Sequence, residues 1–146
     1  MKIRIEAPNF HGTVGVMVKR PVYLNQIATA VRRSSVTALL GPRQSGETTL
    51  ARVFGKDSRA IHLDLEFKPD RRRLGNPELA LGSLSGLVVL DEIQMTPELF
   101  HVLRVLVDRP ENQARFPALG SASPHILRDV AETLGRSSGV CRTRGI

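Results

Sequence analysis

Short apolar runs alternate with amphipathic segments along most of this chain. Apolar residues dominate Val36–Leu40, Ala60–Leu65 and Leu87–Leu90, which have the length of strands buried in a sheet. A fourth strand is predicted over Arg115–Leu119. Helices are predicted over Tyr23–Arg33, Glu47–Phe54, a short segment starting at Pro77, Leu99–Asp108 and Pro124–Leu134. Strands that alternate with helices indicate an α/β fold, a parallel sheet with helices on both faces.

Two of the predicted helices begin with the same sequence pattern. Asn76-Pro77-Glu78 and Thr96-Pro97-Glu98 each place a capping residue before a proline at the first helical position and an acidic residue in the first turn. We therefore expect a helix to start at each site.

Length and composition narrow the class of protein. With 146 residues and 41% apolar content, the chain fits one domain with a real core. No apolar run approaches the ~20 residues of a membrane span, and the N-terminus lacks an apolar signal region, so we expect a cytoplasmic protein without membrane contact. Cys141 is the only cysteine, which excludes an intrachain disulfide and a cysteine-based zinc cluster.

The net charge of +7 predicts a polyanionic partner, either nucleic acid or the phosphates of a nucleotide. A solvated basic surface explains the same charge without any partner.

A candidate phosphate-binding loop follows the first buried strand. Gly41–Thr48 matches the pattern G-x-x-x-x-G-K-[ST] at every fixed position except one. Its two glycines would allow successive backbone N–H groups to face phosphate oxygens, and the next helix would add its positive N-terminal end. The hydroxyl of Thr48 suits Mg²⁺.

A second element has the form of a Walker B strand. Leu87–Leu90 is followed by Asp91 and Glu92, so one carboxylate could hold a magnesium-bound water and the other could polarise the attacking water. The alternative is that the two acidic residues only end the strand and cap a turn. The distance of some forty residues from the loop favours the Walker B interpretation.

Two further segments allow a functional and a structural interpretation. Ser121 or Ser123, after the next strand, could contact the γ-phosphate or the attacking water as a sensor, or could simply form a tight turn. Asp64–Glu66 could line the nucleotide cleft or form a turn at the end of its strand.

Together these motifs resemble a family of prokaryotic AAA+-type P-loop ATPases with the pattern GPRQ-x-GKTTL, LDEIQ and LGSAS. The matching segments are Gly41–Leu50, Leu90–Gln94, Pro97–Leu103 with Asp108-Arg109, and Leu119–Pro124. The resemblance implies a P-loop NTPase core that binds ATP and Mg²⁺ and belongs to the hydrolases.

The resemblance also implies roles for individual residues. Thr48 and Asp91 would be the metal ligands, Asp91 and Glu92 the Walker B pair, and Ser121 or Ser123 the sensor. Arg136 would be a phosphate-sensing or finger arginine. The implied nucleotide loop consists of Gly41, Pro42, Arg43, Gln44, Ser45, Gly46, Glu47, Thr48 and Thr49.

The implied domain organisation has three parts. Residues 1–20 form an N-terminal segment, residues 21–136 the ATPase domain, and residues 137–146 an unstructured tail. Family members usually continue into a winged-helix segment and a nuclease-like domain, so the sequence predicts a truncated copy.

The chain departs from the family pattern at two internal positions. Glu47 replaces the Walker A lysine, which exchanges a positive charge facing the triphosphate for a negative one. At ~4 Å and an effective dielectric of ~20, each unit of charge is worth about 4 kcal/mol, so we expect impaired hydrolysis. Pro117 removes a hydrogen-bond donor from a segment predicted to be a central strand.

Two other functions stay open. A basic nucleic-acid-binding module is suggested by the net charge, Arg32-Arg33 and Arg71–Arg73, although aromatic residues make up only 4% of the chain and tryptophan is absent. The other alternative is an inactive remnant that serves as an interaction domain.

Overall fold

A six-stranded parallel sheet organises the part of the chain that the computed structural model describes, namely residues 3–5, 29, 31–41, 59–121, 123–134 and 140–142. The strands are β1 (Ile3–Ile5), β2 (Val36–Gly41), β3 (Ile61–Asp64), β4 (Gly86–Asp91), β5 (Ala114–Ser121) and β6 (Val140–Arg142). They lie side by side in the order β3-β4-β5-β2-β1-β6.

Among the described residues, four helices and one 3₁₀ helix with defined bounds lie between β3 and β6 in the sequence. They are α1 (Lys68–Arg73), α2 (Pro77–Gly82), the 3₁₀ helix Ile93–Met95, α3 (Leu99–Val107) and α4 (Pro124–Leu134). Thr29 and residues 31–33 are also helical and precede β2. The predicted α/β class with a parallel sheet is therefore confirmed.

Both faces of the central strands are buried. In β2, Val36, Ala38 and Leu40 pack in the core cluster that also contains the apolar sides of α2, α3 and α4. The intervening residues Thr37 and Leu39 are 1% and 3% exposed. Because successive side chains of a strand point to opposite faces, the second face of the sheet is covered as well.

Helix α3 is the most deeply packed of the described helices, because its apolar positions recur on the side that faces the sheet. Leu99, Phe100, Leu103 and Leu106 are all buried, and the helix contacts both α2 and α4. This arrangement places α2, α3 and α4 in one layer above the sheet.

The two predicted helix starts behave differently. Asn76 caps α2 as expected, since its Oδ1 accepts a hydrogen bond of 3.3 Å from the N–H of Leu79. At the second site the helix begins only at Leu99, and no side chain caps it at Glu98. Thr96, the residue predicted to cap this helix, is instead the C-cap of the preceding 3₁₀ helix.

The central strand β5 accommodates Pro117. The N–H of Phe116 donates to the carbonyl of Ser35 on the β2 side, at 2.8 Å, so the missing donor of Pro117 lies on the β4 side. The ladder with β2 is continuous, whereas the pairing with β4 is interrupted between Arg115 and Ala118. The proline therefore interrupts only the hydrogen-bond ladder with β4, and β5 remains a strand.

Two described elements were not expected from the sequence. Helix α1 has the sequence KPDRRR and contains no buried residue, so it has no apolar stripe to predict it. Strand β6 lies within residues 137–146, where no regular structure was expected, and it pairs in parallel with β1 from the N-terminal segment. Here the expectation of an unstructured tail differs from the structure. Among the described residues, no helix has the length and apolar character to cross a membrane.

Candidate nucleotide site at the carboxyl edge of the sheet

Parallel strands bring their carboxyl ends to one edge, and four chemically relevant residues meet there. Gly41, Asp64, Asp91 and Ser121 are the last residues of β2, β3, β4 and β5. Gly41 is in register with Ser121, and Asp64 is in register with Asp91. The first residue of the predicted phosphate loop, the predicted Walker B aspartate and a predicted sensor serine thus share one edge.

The order of the strands reverses at this edge. From β2 the chain goes to β3 at one side of the sheet, and from β5 it goes to β6 at the other side. Although β2 and β5 are neighbours, the strands that follow them in the sequence lie at opposite sides of the sheet. In open α/β sheets, ligands bind outside the carboxyl ends of the strands at such a reversal of strand order.

Asp91 is partly buried and carries an unfavourable negative charge. Burial raises the pKa of Asp91 above its ordinary value of 3.8, and the charges of Glu92 and Asp64 add to the rise. The backbone N–H of Glu92, which donates to Asp91 Oδ1 at 2.9 Å, and the nearby His62 oppose it. A cation beside Asp91 would relieve this cost, since an opposite charge favours the ionised carboxylate.

Glu92 has a left-handed backbone conformation, with φ 56° and ψ 45°. It is the one non-glycine residue with positive φ among those the structure describes. Such a conformation costs about 1–3 kcal/mol and is concentrated at functional sites. Here it turns the chain sharply at the end of β4 and directs it into the 3₁₀ helix.

Gln94 links the acidic end of β4 to the end of β5. Its Nε2 donates to Glu92 Oε2, and its Oε1 accepts a hydrogen bond of 3.0 Å from the backbone N–H of Ser121. The sequence indicates no role for Gln94 beyond its place in the LDEIQ segment. Its position depends on the left-handed Glu92, which a hydrophobic pattern does not reveal.

The two sensor candidates differ in their surroundings. Ser123 Oγ accepts a hydrogen bond of 3.2 Å from the N–H of Ile126, so this hydroxyl caps α4, whose first residue is Pro124. Ser121 lies beside Gly41 and is tied to Gln94 through its backbone. The geometry favours Ser121 at the site and gives Ser123 a structural role.

Asp64 forms a turn at the end of β3, which is one of the two interpretations given above for Asp64–Glu66. Its Oδ1 accepts a hydrogen bond of 2.9 Å from the N–H of Glu66, and its own N–H donates to Asp70 Oδ2 at 3.0 Å. Its carboxylate still contributes negative charge to the neighbouring Asp91.

Part of the predicted site lies outside the described residues. This applies to Pro42, Arg43, Gln44, Ser45, Gly46, Glu47, Thr48, Thr49 and Arg136. The roles of these residues stay predictions from the sequence.

The described residues fit a Mg²⁺ ion that takes most of its ligands from the phosphates of a bound nucleotide and from water. Within the described ranges, no group of three His, Cys, Asp or Glu side chains is arranged to hold a metal ion. Mg²⁺ in nucleotide sites needs only one or two protein oxygens because phosphates and water supply the others. The partly buried carboxylate of Asp91 meets that requirement.

The fold is an α/β domain with a parallel sheet, and the similarity to known sequences specifies its family. A family model described as an AAA domain matches residues 33–145, so this chain belongs to the AAA-domain family of P-loop NTPases.

Relatives occur in mycobacteria. Uncharacterized proteins of Mycobacterium tuberculosis and Mycobacterium bovis are each 46% identical to the chain over 119 residues, which is 82% of this chain and 27% of the relative. The chain thus spans about a quarter of the length of these relatives. Among solved structures, it is similar to the P-loop NTPase domain of the sigma-54 transport activator from E. coli, with a TM-score of 0.48 and 20% identity over 86% of this chain and 98% of that one.

Proposed function

We propose that this AAA domain binds ATP with Mg²⁺ at the carboxyl edge of its sheet and that Glu47 makes hydrolysis slow. The observation that carries the proposal is the meeting of Gly41, Asp91 and Ser121 at adjacent strand ends, where the order of the strands reverses. Backbone amides of the loop after Gly41 would hold the phosphates. Bound Mg²⁺ would neutralise charge on the phosphate oxygens.

Each described residue of the site has a distinct role in this proposal. Asp91 would hold the metal ion through its carboxylate, directly or through water. The bound cation would offset the unfavourable effect of burial on the ionised carboxylate, which raises the pKa of Asp91. Glu92 would orient the attacking water and accept its proton at a carboxylate oxygen. Ser121 would contact the terminal phosphate from the end of β5. The proposal extends to Thr48 as a metal ligand and Arg136 as a phosphate-sensing arginine on the sequence resemblance alone.

The effect of Glu47 follows from electrostatics. A carboxylate at the position of the Walker A lysine repels the β- and γ-phosphates, whose developing charge that lysine would stabilise. We therefore expect weak ATP binding and little turnover in this chain, and a gain in both when the lysine is restored.

The test compares the chain with Glu47→Lys by calorimetric titration with ATP and Mg²⁺ and by phosphate release. Glu111→Lys is the matched control, because Glu111 is exposed next to the amino end of β5 and the charge change is identical. We expect Glu47→Lys to bind ATP at least ~10-fold more tightly than the control. If Glu47→Lys neither binds ATP nor hydrolyses it, the site assignment is wrong.

Nucleic-acid binding is the alternative proposal. Arg72 and Arg73 are exposed on α1, although Arg73 also faces Asp70 at 3.7 Å. Retention of duplex DNA that falls steeply with salt, and that is lost when Arg71, Arg72 and Arg73 are changed to Ser, would support it. Absence of binding at low salt would remove it.

A further inference from the structure

The side-chain amide of Gln94 has both of its ends engaged at the candidate site. Its nitrogen donates to the Glu92 carboxylate, and its oxygen accepts from the backbone N–H of Ser121 at 3.0 Å. Gln94 therefore connects the proposed base, which directly follows β4, to the end of the neighbouring strand β5.

The chemistry of the two partners allows the amide only one orientation. A carboxylate can only accept a hydrogen bond and a backbone N–H can only donate one, so the nitrogen of Gln94 must face Glu92 and its oxygen must face Ser121. A side chain of Gln is suited to this place because it has a donor and an acceptor and carries no charge.

The backbone on both strands is shaped around this side chain. On β4, the left-handed conformation of Glu92 starts the 3₁₀ helix that carries Gln94. On β5, a Cβ at Gly120 would collide with Gln94 Oε1 and would lie 2.9 Å from Ile93 Cγ2 and 3.2 Å from the backbone N of Ile93. The contact thus combines a strained residue on one strand with the absence of a side chain on the next.

We propose that Gln94 is a positioning residue that holds the Glu92 carboxylate against the end of β5, so that the base and Ser121 keep a fixed relationship. Ser121 is in register with Gly41, where the phosphate loop begins. Gln94 therefore aligns the base with the strand end nearest the phosphates. This inference rests on the proposed function.

The contact can be tested in the full chain without nucleotide. Gln94→Leu removes both hydrogen-bonding ends, and Gln113→Leu is the control because Gln113 is exposed before β5. By NMR, we expect Gln94→Leu to move the Ser121 amide proton upfield and speed its exchange at least ~10-fold, and to move the Glu92 carboxyl carbon. The control should change neither signal.

A second variant gives a measurement that would not change with pH if Gln94 only stabilised the fold. Gln94→Glu places two carboxylates together at neutral pH, but once protonated the new carboxyl again offers one donor and one acceptor. The Ser121 amide signal of Gln94→Glu should therefore return toward its native position as the pH falls. This variant also keeps the test available if Gln94→Leu does not fold.

The consequence for catalysis is measured in the Glu47→Lys chain. There, Gln94→Leu should lower turnover about 10- to 100-fold and change ATP affinity by less than about twofold. Unchanged Ser121 and Glu92 signals in Gln94→Leu, or an equal loss of affinity and turnover, would overturn the positioning role. If Glu47→Lys fails to bind ATP, the proposed function fails, while the NMR signals still decide whether Gln94 holds Glu92.

Discussion

Gly120 lies so close to Gln94 that the side-chain oxygen of Gln94 occupies the place where a Cβ of residue 120 would be. A Cβ at residue 120 would also lie 2.9 Å from Ile93 Cγ2 and 3.2 Å from the backbone N of Ile93, so both neighbours would have to shift. A glycine is therefore favoured at this position by space rather than by backbone conformation.

Gly120→Ala should destabilise the domain by about 1–3 kcal/mol, because an extra methyl group in a packed site forces its neighbours apart. It should also disturb the Ser121 amide signal, since Gln94 must leave its place. Gly82→Ala is the control: its Cβ would lie 3.3 Å from Leu106 Cδ2 and 3.5 Å from Arg109 Nη1, so its contacts would be less close than those at Gly120. Urea unfolding of both variants gives the comparison, and equal stabilities would show that the space at Gly120 is not limiting.

Asp91→Asn should stabilise the domain at neutral pH in the absence of nucleotide. Burial raises the pKa of Asp91 above 3.8, so the native state holds this proton more tightly than the unfolded state. Its contribution to stability is complete below pH 3.8 and is lost as the pH rises through the raised pKa. The asparagine variant avoids that loss because it never ionises.

The measurement is thermal unfolding of Asp91→Asn and of the native chain between pH 3 and pH 7. The gain in Tm should be greatest at neutral pH and should shrink as the pH falls below the raised pKa, until below pH 3.8 the carboxyl becomes protonated in both states. Glu111→Gln, at an exposed position, should show no such trend. A lower Tm for Asp91→Asn at pH 7 would contradict the burial argument.

Ser123→Ala should destabilise the fold without weakening nucleotide binding. Its hydroxyl accepts the N–H of Ile126 at the start of α4, and loss of such a cap costs about 0.5–2 kcal/mol. Ser123→Asn should retain most of the stability, because asparagine caps equally well. If Ser123→Asn keeps its stability but loses ATP affinity in the Glu47→Lys chain, Ser123 rather than Ser121 is the sensor.

The fold could be predicted wherever the pattern of apolar residues was itself the cause of the structure. Val36–Leu40 and Leu87–Leu90 form central strands because only a covered sheet buries such runs. Helix α1, with its sequence KPDRRR, has no buried face and leaves no such pattern. Pro117 seemed to oppose a central strand, but its missing donor affects only the ladder with β4.

The positions of two candidate residues at strand ends could be predicted, but the hydrogen bonds that connect this edge of the sheet could not. Asp91 and Ser121 were expected from their places after strands, and the parallel sheet brings those strand ends to one edge. Gln94 could not be assigned a function, because its role depends on the positive φ of Glu92 and on the space above Gly120. Both are properties of backbone geometry that become visible only in three dimensions.

The most direct test of nucleotide binding at this edge is a titration of the Glu47→Lys chain with ATP, with and without Mg²⁺, followed through its backbone amide NMR signals. We expect saturable, Mg²⁺-dependent shifts at Gly41, Asp91 and Ser121, and unchanged signals at Glu111 and Gln113, which precede the amino end of β5. Saturable shifts confined to α1, or no saturable shift at Asp91 and Ser121, would contradict nucleotide binding at this edge.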